Sequence, residues 1–168
     1  MAQGDLRDML RRADRPIMIA VAGDSGSGKS TYSRGIQRLL GGDVVSSLSL
    51  DGYHKEDRAQ RRRSGRSPLD PRANHIKLAR EHLSAIRDGQ TVEVPVYNHG
   101  TGRFDTPQRI DPAPVILVEG LHALYPELVP LFDFTLFVDS DREVRWRWKF
   151  ERDVFQRGYD PEEARREL

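Results

Sequence analysis

Two short, uninterrupted apolar runs stand out: Ile17-Met18-Ile19-Ala20-Val21-Ala22 and Val115-Ile116-Leu117-Val118. Runs of this length without a polar side read as strands buried on both faces, the signature of a parallel sheet. Phe134–Val138 is another such run, expected to be buried in the same way, and Val44–Leu50 is a further strand segment rich in β-formers. Thr91–Tyr97 alternates as a strand does, and Pro95 points to a sheet edge or a small excursion there. Helical stretches lie between the strands. Thr31–Leu40 follows a glycine-rich segment, and Pro71 opens a helix reaching about Arg87, with Ile76, Leu78, Ala79, Leu83 and Ile86 on its apolar side. Asp141 to about Gln156 forms a charged helix with Val144, Trp148 and Phe155 available for packing, and Asp5–Arg12 a short polar one. Gly52–Arg66 reads as loop or irregular helix. Asn98–Pro114, with its glycines and prolines, reads as loop.

Strands alternating with helices predict an α/β fold: a mostly parallel sheet with helices on both faces. Ligands of such sheets bind beyond the carboxyl ends of the strands. Those ends fall at a glycine-rich loop, at Asp51, at Glu119 and at Asp139, so acidic residues gather near one rim.

The loop is Gly23-Asp24-Ser25-Gly26-Ser27-Gly28-Lys29-Ser30, which fits G-x-x-x-x-G-K-[ST] between a strand and a helix. Its backbone N–H groups, with the start of the helix at Thr31, form a cradle for phosphates. Lys29 brings a mobile charge to the β- and γ-phosphates, and the Ser30 hydroxyl is placed to coordinate Mg²⁺. The expected ligands are a nucleoside triphosphate and Mg²⁺. A carboxylate at Asp51 can orient a substrate hydroxyl and accept its proton, hold the metal, or serve as an ordinary turn residue. Glu119 can bind Mg²⁺ or satisfy backbone N–H groups at its strand end. The dense Arg58, Arg61, Arg62, Arg63, Arg66 segment reads as a solvated face or a weak nucleic-acid patch. Beside a kinase site Arg58 is placed to grip an acceptor's phosphate, and the other four read as surface. Lys149, Arg152, Asp153 and Arg157 form either a salt-bridged surface or a mobile lid over the transferring group.

Composition narrows this only at the margins. With 168 residues the chain reads as one kinase domain spanning 1–168. The 27 Lys and Arg against 26 Asp and Glu point to no nucleic-acid partner. The absence of cysteine excludes disulfides and thiolate metal sites, and the five histidines lack zinc-ligand spacing. No apolar run approaches transmembrane length, so no membrane partner and a cytoplasmic location are expected. Self-association is left open.

Several motifs in order are similar to phosphoribulokinase, within the wider phosphoribulokinase/uridine kinase group of P-loop kinases: GDSGSGKST, LDGYHKEDR, LDPRANHIKLAREHLSAIRDGQ, PVYNHGTGRFDTPQRI, VEGLHALYPE, LFDFTLFVD and WKFERDVFQRGY. The resemblance implies ATP-dependent phosphorylation of ribulose 5-phosphate at its C1 hydroxyl, giving ribulose 1,5-bisphosphate in the Calvin cycle. It implies Asp51 as catalytic base, with Lys29, Lys149, Arg152 and Asp153 in the catalytic group. His54 and Arg58 then bind the sugar phosphate, Tyr97 and His99 lie near it, and Glu119 lies near the metal. The chain departs from the family pattern in three places. Gly52 stands where plant-type members often have a second Asp, Ser27 where redox-regulated members have Cys, and Leu168 where members continue into further strands. Thiol regulation is therefore expected to be absent, and the kinase domain to lack its usual C-terminal part. Two other readings are a uridine-kinase-like enzyme, or one acting on another small metabolite, and a non-catalytic ATP-binding relative.

Overall fold

The two apolar runs pair at the centre of a sheet. The computed structural model describes residues 3–166. In chain order it contains α1 (Gln3–Arg11), β1 (Ile17–Ala22), α2 (Lys29–Leu40), β2 (Val45–Ser49), α3 (Arg58–Ser64), α4 (Ile76–Arg87), β3 (Val92–Asn98), β4 (Arg103–Ile110), β5 (Val115–Glu119), β6 (Phe134–Phe137), α5 (Arg142–Glu151) and α6 (Pro161–Arg166). Four strands make a parallel sheet in the order β2-β5-β1-β6, while β3 and β4 form a separate antiparallel hairpin. The fold is α/β, as the alternation of elements predicts.

Side-chain alternation divides the core in two. Met18, Ala20, Leu48, Ile116 and Val118 face one side, where α4 (Ala79, Leu83, Ile86) and the hairpin (Val92, Val94, Ile110) cover them. Val21, Val45, Val115 and Leu117 face the other, under Leu40 and Ile36 of α2 and Leu10 of α1. Each such large aliphatic side chain contributes about 1.5–3 kcal/mol on burial, which fixes the strand register. β6 is not buried on both faces as its apolar run predicts: it lies at the sheet's edge, paired only to β1 among the described residues, with Phe134, Leu136 and Phe137 exposed.

Four other segments differ from the sequence expectation. Arg103–Ile110 is a strand and not loop: seven of its eight residues are exposed, so it carries no apolar alternation, and backbone pairing to β3 orders it together with Ile110 in the core and Phe104 against Tyr97. The pairing shifts register between Val94 and Val96, where Pro95 forms the anticipated excursion. The segment after β2 is ordered too. Leu50–Tyr53 is a 3-10 turn, and α3 is closed by a capping box between Asp57 and Gln60 and ended by Gly65. The expected Pro71 helix is broken. Pro71–Ala73 is a 3-10 turn capped by Asp70, Asn74 is extended, and α4 starts at Ile76. The last expected helix leaves α geometry at Arg152 and finishes as a π turn, Arg152–Gln156.

Asp133 ties the start of β6 to that of β1. Arg15 donates to both its oxygens at 2.8 and 2.6 Å, and the Met18 N–H donates at 2.9 Å. The bond from Arg15 pulls the Asp133 carboxyl down to about 2, against the opposing effect of burial. A carboxyl lowered on folding stabilises the fold above its unfolded pKa and loses that contribution as pH falls through the folded value. Asp133→Asn is therefore expected to cost roughly 1 kcal/mol at neutral pH, after allowing for solvent screening, or about 3 °C in Tm. Thermal melts should show the gap to the parent protein closing between about pH 4 and pH 2; a gap independent of pH would disprove the assignment.

Candidate active site

β1 ends in the phosphate loop, β2 in the turn carrying Asp51, and β5 in Glu119, so the sheet alone delivers three functional segments to one rim. Parallel register sets Glu119 opposite both Val21 of β1 and Ser49 of β2. In the loop, Gly26 has φ 85°, and a Cβ there would lie 2.9 Å from the Arg145 carbonyl oxygen and from Lys149 Cβ. Glycine lets α5 close directly over the loop. That closure is electrostatic as well: Arg145 pairs with Asp24 at 2.8 Å, and Arg152 donates to Ser25 Oγ at 3.0 Å. Ser27 is buried beneath.

Lys29 Nζ donates to the Asp24 carbonyl at 2.7 Å. Burial pushes its ammonium down, while Asp51, Glu119 and Asp24 raise it and Arg152 opposes them. Asp51 is thus among the charges that act on Lys29. Asp51 accepts a hydrogen bond from His99 Nε2 at 2.9 Å. Burial works against its charge, but that bond and the charges of His99, His54 and Lys29 prevail and hold the carboxyl well below the usual range. A cavity of about 190 Å³ opens here, lined by Ser30, Asp51, Pro95, His99, Glu119 and Arg157 among others.

The donor set suits a hard divalent cation. Ser30 Oγ lies 3.4 Å from Glu119 Oε1, and Glu119 Oε2 is buried without a hydrogen-bond partner. One hydroxyl and one carboxylate beside a phosphate cradle match the way Mg²⁺ is held, with phosphate oxygens and water completing its shell. Among the described residues there is no cluster of three His, Cys, Asp or Glu that could hold a metal by itself.

The cationic group of Lys149, Arg152 and Arg157 is salt-bridged to one carboxylate and reaches the phosphate loop through Arg152. Asp153 is buried in the π turn and accepts from Lys149 at 3.0 Å, Arg152 at 2.9 Å and Arg157 at 3.1 Å. Burial opposes its charge, but Arg152 and Lys149 keep the carboxyl below its ordinary range. The carboxylate gathers three cations and holds them against the phosphate loop.

His54 and Arg58 do not line the cavity; they sit beside it. The His54 ring meets the edge of Tyr97, whose other contacts include His99. Arg58 donates to the His99 carbonyl and stacks on Tyr159 at 4.3 Å, with its buried Nε left without a partner. Arg61 corrects the surface reading: it is half-buried, lies over the Tyr97 ring at 5.0 Å, and donates to the Tyr97 hydroxyl at 2.7 Å. Sequence reasoning also missed Asn74 and His122, both buried, and did not place Arg157 at the cavity. A helix from Arg58 was readable from its Asp57-x-x-Gln60 cap, and a face containing Arg58 and Arg61 follows from i,i+3 spacing.

A phosphate loop after the first strand of a parallel sheet, a base-type carboxylate at the end of the next strand and a cation cluster on a following helix define the P-loop kinase class. The sequence profile of the Phosphoribulokinase / Uridine kinase family matches residues 18–167, and the chain belongs to that family. It is 42% identical over 156 residues to a phosphoribulokinase of Synechocystis sp., covering 92% of this chain and 47% of that protein. It is 38% identical over 167 residues to a chloroplastic phosphoribulokinase of Triticum aestivum, covering 89% of this chain and 41% of that protein. The chain therefore spans less than half the length of these two relatives. The structure of a phosphoribulokinase from Rhodobacter spheroides superposes with a TM-score of 0.66 at 23% identity, covering 88% of this chain and 59% of that one, and shows the same fold. No described helix is long and apolar enough to cross a membrane.

A Cβ on Gly52 would overlap the Pro95 carbonyl oxygen. The Asp51 turn and the β3–β4 hairpin carrying His99 therefore touch backbone to backbone. Gly52→Ala should push them apart and weaken the Asp51–His99 bond. The expected result is a loss of phosphoryl-transfer turnover of about a hundredfold, with binding of a fluorescent ATP analogue little changed. Unchanged turnover would show that the close approach has no part in aligning the two residues.

Proposed function

We propose that the chain is the catalytic core of an ATP-dependent kinase that phosphorylates a sugar-phosphate hydroxyl, with ribulose 5-phosphate as acceptor and ribulose 1,5-bisphosphate as product. The observation that carries this reading is the Asp51 carboxylate, kept ionised by His99 in a cavity that Ser30 and Glu119 also line. The relatives named phosphoribulokinase support the acceptor.

ATP bound in the cradle would supply the γ-phosphoryl group, and Ser30 and Glu119 would hold Mg²⁺, which would offset part of its charge. Residues Gly23 to Thr31 bind the phosphates, and Lys29 turns from the Asp24 carbonyl toward them. His99 occupies Asp51 Oδ2, leaving Oδ1 for the acceptor hydroxyl. A carboxylate held so firmly ionised is a weak base toward a free alcohol. Asp51 first orients the hydroxyl and takes its proton late, as the oxygen bonds to phosphorus, in keeping with a loose transition state. Lys149 and Arg152, gathered by Asp153, offset the negative charge on the transferring group. Arg58 and Arg61 with Tyr97 and His54 form the acceptor side. Arg61 covers the Tyr97 ring, so that aromatic face is engaged, which favours an anionic sugar over a stacked nucleoside base.

A coupled ADP-release assay over ribulose 5-phosphate, uridine and other small alcohols tests this, with Lys29→Ala as control. Ribulose 5-phosphate should be the preferred acceptor. Asp51→Asn should lower kcat by about 10²–10⁴-fold with nucleotide affinity held within about threefold. Preference for uridine would reassign the acceptor, nucleotide binding without transfer would make the chain a binding module, and a parallel loss of nucleotide affinity in Asp51→Asn would make that residue a metal or structural ligand.

A further inference from the structure

Asn74 is 4% exposed and takes no part in the phosphate chemistry above, yet every polar atom of its side chain is engaged beside His54. The backbone sets the two residues face to face. They form an isolated antiparallel bridge, flanked by Lys55 N–H donating to the Ala73 carbonyl at 2.9 Å and His75 N–H donating to the Tyr53 carbonyl at 2.7 Å. Asn74 Nδ2 lies 3.1 Å from the Pro68 carbonyl oxygen and 2.9 Å from that of Asp70, and Asn74 Oδ1 lies 2.6 Å from His54 Nδ1.

Elementary donor–acceptor rules then fix the protons. A backbone carbonyl only accepts, so the amide nitrogen must face Pro68 and Asp70; the flipped amide would set lone pair against lone pair twice. The amide oxygen therefore faces His54, and since it too only accepts, His54 Nδ1 carries a proton. His122 Nε2 lies 2.9 Å from Asn74 Nδ2 and 2.8 Å from the Pro68 carbonyl. With both amide hydrogens taken by carbonyls, His122 donates to Pro68 and does not compete for Asn74. Burial favours the uncharged form of His54; Asn74 and the Asp51 charge oppose that, and the charges of Arg61 and His122 reinforce it. A neutral ring protonated on Nδ1 has its lone pair on Nε2, and His54 Nε2 has no hydrogen-bond partner among the described residues.

We propose that Asn74 is a positioning residue: anchored on the Pro68 and Asp70 carbonyls, it locks His54 in the Nδ1–H form so that Nε2 accepts a hydrogen bond from a hydroxyl of the acceptor. The inference rests on the kinase reading above and refines it. His54 recognises the polyol part of a sugar phosphate, and the phosphate falls to the arginines.

Long-range ¹⁵N–¹H correlation spectra of histidine-labelled protein at neutral pH read the tautomer directly, with the His54 signals assigned by their loss in His54→Gln. The expected spectrum has His54 protonated on Nδ1 and bare on Nε2. Asn74→Leu should lose this pattern and raise the acceptor KM about tenfold, the worth of one hydrogen bond, while kcat and the KM for ATP stay within about twofold. A parent spectrum with the proton on Nε2 or on both nitrogens overturns the proposal. So does a folded Asn74→Leu protein, checked by thermal melting, with unchanged tautomer and unchanged acceptor KM. Should Asn74→Leu not fold, the parent spectrum still decides. The spectrum requires no turnover, so failure to phosphorylate any sugar phosphate would defeat the kinase reading separately from the tautomer.

Discussion

An ammonium group drawn out of water among carboxylates sets the terms for the whole rim. Lys29 loses hydration by lying behind the loop, and Asp51, Glu119 and Asp24 recover part of that loss. This balance requires three chain segments far apart in sequence to end at one level. The parallel sheet supplies that level. β5 is buried on both faces, and its register against β1 and β2 brings Glu119 beside Val21 and Ser49. A slip of one residue would turn Glu119 to the other face and expose or bury the wrong side chains along the whole strand. The hydrophobic core thus determines where the charges meet.

The cations opposite are arranged by a different device. The π turn at Arg152–Gln156 departs from α geometry at Arg152, itself one of the residues that clamp the phosphate loop. It buries Asp153 while leaving Phe155 almost fully exposed. Lys149, Arg152 and Arg157 would repel one another if gathered without a counter-charge, and the buried carboxylate makes their proximity tolerable. π turns of this kind recur at functional sites.

What could be read from the sequence followed physical visibility. The buried strands were legible because burial on both faces leaves an unbroken apolar run, and the phosphate loop because its glycines are dictated by the anion. Asp51 and Glu119 were legible as strand ends. β4 was not, because a strand held largely by main-chain pairing, with Ile110 its one buried side chain, leaves little hydrophobic trace. Nor were the contacts of Arg61 with Tyr97 or of Asn74 with His54 visible, since they join residues 36 and 20 positions apart that only the fold makes neighbours. The His99 partnership with Asp51, 48 positions away, was approached only through resemblance to a family.

Gly52 acts as a spacer of zero thickness. The gap between the Asp51 turn and the hairpin is set by main chain meeting main chain at Pro95, and both residues wall the cavity. Any side chain at that position, such as the second Asp of the plant-type pattern, must hold the hairpin farther off. The width of the cavity is therefore set at a position that needs no functional group of its own.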